Sequence, residues 1–134
     1  MGTRGTSTVD PKRTLLGVWL QATRPFSLTA SVLPVVIGAM LAASFDGPVD
    51  WPLFPHIVAC SLLFHIATNM VSDYFDYRKG VDRVETYGSS RVLTDGLLTP
   101  KQLLAAGVFL FAAGFSLGLL LVAGDKGLAG AFNA

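Results

Sequence analysis

Cysteine, charge and alternation are what this 134-residue chain has least of. Its one cysteine, Cys60, lies inside an apolar run, so no disulfide framework holds the fold together. Only 14% of the residues are charged while 51% are hydrophobic and mean hydropathy is +0.55; soluble domains carry about a quarter charged residues, so the solvent indicated is a lipid bilayer. A net charge of +1 supplies no basic footprint for nucleic acid. No small-residue cleavage site follows an apolar core at signal-peptide distance. The apolar runs also lack the two-residue alternation of a membrane barrel, which leaves helices as the way to satisfy their backbone in lipid.

Three such runs are present, each close to the roughly 20 residues that cross a hydrocarbon core. The first is SLTASVLPVVIGAMLAASF, Ser27 to Phe45; the second starts near Leu53 as LFPHIVACSLLFHIATNMV; the third is LLAAGVFLFAAGFSLGLLLVA, Leu103 to Ala123. The fold class expected is an all-α, polytopic transmembrane helix bundle. Residues 1–14 are polar and read as a disordered cytoplasmic N-terminus, with residues 15–134 forming the membrane domain. Pro34 is expected to kink the first helix, and Gly114 with Gly118 permits close helix approach.

Cations set the orientation. Arg4, Lys12, Arg13 and Arg24 precede the first run, and Arg78, Lys79, Arg83, Arg91 and Lys101 lie between the second and third, whereas the first connection holds Asp46 and Asp50 without Lys or Arg. The positive-inside bias puts the N-terminus and the second loop in the cytoplasm.

The second run ends in NMVSDYFDYRKGVD, residues 69–82. At about 100° per residue, His65, Asn69, Ser72, Asp73 and Asp76 share one polar stripe on an otherwise apolar helix. Two carboxylates three residues apart repel unless a cation sits between them. With an amide oxygen beside them they form a hard donor set suited to Mg²⁺, which completes its shell with substrate phosphates. The competing reading is a solvated helix end paired with Arg78 and Lys79. Gly80 is expected to end the helix in a left-handed conformation, leaving Asp82 in a loop. Downstream, YGSSRVLTDGLLTP offers Gly88, two serines and Arg91 in a small flexible loop, then an Asp95-Gly96 turn and a Thr99-Pro100 helix start. Arg91 has the fork geometry for phosphate oxygens, with backbone amides near Gly88 adding donors. His65 is a weak general-base candidate, and Phe64, Tyr74, Phe75 and Tyr77 are placed to shield a cation or simply to pack.

RPFSLTASVLPVVIGAML (24–41), NMVSDYFDYRKGVD and GSSRVLTDGLLTP together resemble the UbiA superfamily of membrane aromatic prenyltransferases, within it the 1,4-dihydroxy-2-naphthoate branch of menaquinone synthesis. The resemblance covers roughly residues 15–123. It implies a bundle of about nine membrane helices, of which three are present here, with two aspartate motifs and Mg²⁺ bridging them to a polyprenyl diphosphate whose prenyl group passes to an aromatic acceptor. Carried over, Asn69, Asp73 and Asp76 form the metal site, Asp73 and Asp76 being the catalytic pair. Asn69, Arg91, Lys79, Arg24 and Asp82 serve the diphosphate. A bacterial cell membrane is the implied location. Ser72 departs from the Asn-Asp pair of many relatives, and no second aspartate motif follows, so the chain reads as the N-terminal part of a larger enzyme that is inactive alone. Two alternatives stand beside this: a CDP-alcohol phosphotransferase, whose D-G-x-x-A-R start and D-x-x-x-D finish are not found, and a non-catalytic membrane hairpin.

Overall fold

The computed structural model describes residues 14–45, 49–81 and 89–124. Among them the regular structure is entirely helical: α1 (Leu15–Thr23), a 3-10 turn (Pro25–Leu28), α2 (Thr29–Ser44), α3 (Phe54–Arg78) and α4 (Pro100–Ala123). Three stretches are long and apolar enough to cross a membrane, Leu15–Ser44, Phe54–Arg78 and Pro100–Ala123. The all-helical membrane bundle is therefore what the chain builds. The disorder expected of residues 1–14 falls outside the described residues, except that Thr14 caps α1 by accepting from the Gly17 amide at 3.2 Å.

The first run begins earlier than Ser27 and is broken. Pro25 has no N–H to give and disfavours the right-handed helical conformation at the residue before it. Arg24 adopts a left-handed conformation instead, with φ of 52°, so α1 and α2 form two segments joined by a corner rather than one rod. Pro34 sits inside α2.

The expected punctuation is observed downstream. Gly80 follows the end of α3 with φ of 67° and Gly96 takes φ of 68° in the turn after Asp95. Thr99 caps α4 in a reciprocal box with Gln102, and Pro100 occupies the first turn where its missing N–H costs nothing.

α3 and α4 pack closely because glycines line their contact. A Cβ on Gly107 would lie 2.8 Å from Val71 Cγ2 and 3.3 Å from the Ala67 carbonyl oxygen, and one on Gly114 would lie 3.3 Å from Leu63 Cβ. The buried cluster sits at the end of the bundle where α3 finishes and α4 starts. It joins Val18 and Ala22 of α1, Met70 of α3, Leu103 of α4, and Val92, Leu93 and Leu98 of the connection. That connection was expected to be a flexible loop. From Ser90 to Leu98 it is instead anchored, with three apolar side chains in the core. Outward faces of α2 and α4 expose Leu33, Ile37, Met40, Phe109, Phe115 and Leu120, as lipid-facing or helix-facing surfaces do.

Candidate functional site at the end of α3

The polar stripe of α3 divides into three levels. At the first level, deepest in the helix, His65 is held between two hydroxyls: Ser27 Oγ lies 3.1 Å from its Nε2 and Ser31 Oγ 2.6 Å from its Nδ1. One turn on, Asn69 donates from Nδ2 to Ser27 Oγ at 3.0 Å and to the Thr23 carbonyl at 3.4 Å. Ser31, Ser61, Phe64, His65, Thr68 and Asn69 line a recess of about 380 Å³, within the size range of small-molecule sites.

At the second level is Asp73, 1% exposed. Its Oδ1 is ion-paired with Arg24; its Oδ2 accepts from the Ser90 hydroxyl and, at 3.2 Å, from the Ser90 amide. Ser90 is gripped from the other side as well, since Gln21 Nε2 donates to its carbonyl at 2.7 Å. Asp73 thus ties the α1–α2 corner and the α3–α4 connection onto α3. Arg24 and Arg91 are the two non-glycine residues with positive φ among those described, at 52° and 62°, and they flank this tie. Strained conformations of that kind persist only where the surroundings over-determine them.

At the third level is Asp76, half-buried, accepting from Ser72 Oγ at 3.3 Å. Exposed cations lie at the end of α3 and on the connection that follows. Lys79 caps α3. Arg78 stacks 5.9 Å from the Tyr74 ring centre. Arg91, its side chain 45% exposed, approaches Asp95 at 3.6 Å.

The expected site residues are therefore not one cluster. Arg24 and Asp73 meet each other; Asn69 joins the His65 level; Asp76 and Lys79 stay at the end of α3, and Arg91 turns toward Asp95 of the connection. Asp82 lies outside the described residues, as do Gly88 and its amides. Among the described residues, no group of three or more His, Cys, Asp or Glu side chains is arranged to hold a metal ion. Of the Asn69–Asp73–Asp76 trio, Asp73 already has protein donors on both oxygens, whereas Asn69 is bonded through its amide nitrogen and keeps its oxygen. Asp76 does fit a metal that takes one carboxylate and completes its shell with substrate phosphate. Sequence reasoning named Ser90 only as one of two loop serines, without its partner, and missed Gln21. Both are short-range silent: Gln21 is one polar residue on an apolar helix, and Ser90 is one of two adjacent serines.

The model of the UbiA prenyltransferase family matches residues 31–132. The chain is 36% identical over 96 residues to "UbiA prenyltransferase domain-containing protein 1" of Danio rerio, 72% of this chain and 28% of that protein. It is 35% identical to the Homo sapiens protein of the same name over the same shares of the two chains. To "1,4-dihydroxy-2-naphthoate octaprenyltransferase" of Bacillus subtilis (strain 168) it is 32% identical over 125 residues, 92% of this chain and 40% of that protein. The chain thus spans between about a quarter and two fifths of the length of these relatives. No solved structure matches it.

Proposed function

Because this chain belongs to the UbiA prenyltransferase family, we propose that it contributes one half of a site that moves a polyprenyl group from a prenyl diphosphate to an aromatic acceptor. The observation that carries the reading is the split of the stripe: an acid, Asp76, stands in the last turn of α3 just before Arg78 and Lys79, while its neighbour Asp73 is spent on holding the surrounding segments, among them the Ser90 that precedes Arg91. The Bacillus subtilis relative is named for 1,4-dihydroxy-2-naphthoate. That supports this acceptor, and with it a step of menaquinone synthesis.

Mg²⁺ is the proposed cofactor. Asp76 would hold it, with Asp82 as the further loop acid, and when bound it supplies charge neutralisation for the departing diphosphate. The chain's own groups do the rest. Lys79 and Arg91 bind the diphosphate oxygens, Arg91 by its planar fork at the cost of its contact with Asp95. As the C1–oxygen bond of the prenyl group lengthens, negative charge grows on the leaving oxygens, and fixed cations there stabilise the transition state more than the ground state. The Arg24–Asp73–Ser90 tie orients the segment that carries Arg91. An N-terminus and a motif on the cytoplasmic side are proposed from the placement of Lys and Arg.

The test is Mg²⁺-dependent binding of a non-hydrolysable farnesyl diphosphate analogue to the protein in nanodiscs. Asp76→Asn is expected to abolish the Mg²⁺ dependence, and Arg91→Ala to weaken binding roughly tenfold or more, the scale of a lost charge-assisted contact. Unchanged, Mg²⁺-dependent binding by Asp76→Asn sinks the proposal.

A further inference from the structure

Arg91 takes its left-handed φ of 62° between two peptide planes, and each plane is held by hydrogen bonds. After it, the Arg91 carbonyl accepts from the Asp95 amide at 2.9 Å and from Thr94 Oγ1 at 3.1 Å. Before it, the Ser90–Arg91 plane is held at both ends: Gln21 Nε2 donates to the Ser90 carbonyl at 2.7 Å, and the Arg91 amide donates to Ser89 Oγ at 3.2 Å. A trans peptide is planar, so fixing these two planes fixes the torsion between them. That conformation is disfavoured for a residue with a Cβ and persists only while its surroundings over-determine it.

The Arg24–Asp73–Ser90 tie does not reach this torsion by itself. Asp73 accepts from the Ser90 amide and hydroxyl, and neither group moves when the bond from the Ser90 Cα to its carbonyl carbon turns. Rotation there reorients the Ser90–Arg91 plane and leaves both Asp73 contacts intact. Two contacts oppose it. Ser89 Oγ belongs to the same segment of chain, whereas Gln21 comes from α1, 69 residues away. α1 is itself seated, because Val18, Gln21 and Ala22, at i, i+3 and i+4, share one helix face. Val18 and Ala22 are buried in one cluster with Val92 and Leu93. Gln21 is therefore the contact that references the plane to the body of the bundle.

We infer that Gln21 is a positioning residue for Arg91: its amide holds the Ser90–Arg91 peptide plane in the orientation that keeps Arg91 left-handed, and so sets the direction in which the guanidinium leaves the connection. The inference rests on the prenyl-transfer reading, in which Arg91 meets the diphosphate, and adds to it a residue that acts without touching the substrate. Without the Gln21 donor the plane turns, Arg91 relaxes toward negative φ, and its Cβ swings. Val92 and Leu93 are buried just beyond, so the change is taken up at Arg91 rather than spread along the connection. A guanidinium grips phosphate through parallel bonds from a planar fork. A displaced root misaligns that fork while leaving its charge in place.

The test is a double-variant cycle on binding of the non-hydrolysable farnesyl diphosphate analogue, with Mg²⁺, to the protein in nanodiscs, with thermal unfolding read on the same samples. Gln21→Met keeps the length and helix preference of the side chain and removes the donor. It is expected to weaken binding roughly three- to tenfold, the scale of one hydrogen bond, and to have no further effect in the Arg91→Ala background. Gln21→His carries an N–H on Nε2, as many bonds from Cβ as the Gln21 nitrogen, and is expected to recover binding. A contact that only stabilises the fold lowers the unfolding temperature and weakens binding alike in both backgrounds. Equal weakening in both backgrounds, or wild-type binding by Gln21→Met beside a weakened Arg91→Ala, overturns the inference and leaves the diphosphate reading standing. Wild-type binding by Arg91→Ala refutes the diphosphate role of Arg91, and this inference with it.

Discussion

Asp73→Asn and Asp76→Asn should fail in different ways, although the two residues are one helical turn apart. Asp73 is 1% exposed and its pair with Arg24 is largely removed from solvent, with side-chain exposures of 2% and 24%. Removing one partner of a fully buried pair costs about 3–5 kcal/mol because the other charge is stranded. Here Arg24 keeps partial solvation and a further interaction, so about 2–3 kcal/mol is expected for Asp73→Asn. Arg24→Gln should cost a similar amount. The double variant strands no charge, and its cost should fall short of the sum of the single costs by about 2 kcal/mol, a coupling typical of contacting charges. Reversible unfolding in mixed micelles measures all three. Mg²⁺ affinity for the diphosphate analogue, read on the same samples, should be kept by Asp73→Asn and lost by Asp76→Asn. Additive single costs, or an Asp73→Asn protein of wild-type stability that has lost Mg²⁺ binding, would refute the assignment of Asp73 as a tie rather than a ligand.

Ser90→Ala removes one of the two donors to Asp73 Oδ2 and should cost about 1.5–3 kcal/mol, as a lost bond to a charged group does; limited proteolysis of the α3–α4 connection, faster than in wild type, checks it. Leu98→Ala takes a 7% exposed side chain out of the end cluster and should destabilise by about 2–3 kcal/mol in the same unfolding assay. Gly107→Val should disrupt the α3–α4 contact outright, since even a Cβ there would lie 2.8 Å from Val71 Cγ2; Gly107→Ala with Val71→Ala is expected to recover part of the loss, read as thermal stability in detergent. Thr99→Ala should cost about 1 kcal/mol as a lost helix cap.

Local chemistry made the frame legible. The three apolar stretches, the left-handed Gly80, the turn at Gly96 and the Thr99–Pro100 start are all decided by residues within a few positions of one another. The first helix was mis-started because hydropathy alone hides the corner at Arg24, where a backbone preference imposed by Pro25 outweighs a continuous apolar run. Gly107 went unnoticed beside the Gly114–Gly118 pair although it makes the closer contact, since spacing shows which glycines share a face and not how near the partner helix comes. The site was legible only as a stripe. Helical phase puts Asp73 and Asp76 about 60° apart, both polar-facing, and cannot tell which one meets Arg24, 49 residues away, and Ser90, 17 residues away. Those partners are set by the corner in the first stretch and by the burial of Val92, Leu93 and Leu98, both long-range facts.

The division of the stripe explains why a membrane helix tolerates so many polar groups in so short a span. Each level satisfies a different requirement. Asp73 is neutralised by Arg24 and is the pivot of three segments. His65 and Asn69 are bonded to serines. Only Asp76 keeps a carboxylate at the exposed end, where cations and water are available. About 10 Å of helix rise separates Asn69 from Asp76, and the surroundings change along it, from a recess lined by hydroxyls and an amide without Lys or Arg to a helix end carrying Arg78 and Lys79. The charged groups of the stripe are therefore kept apart from its uncharged hydroxyl and amide groups. A charge placed at the recess, as in Thr68→Lys, would erase that separation without touching Asp76.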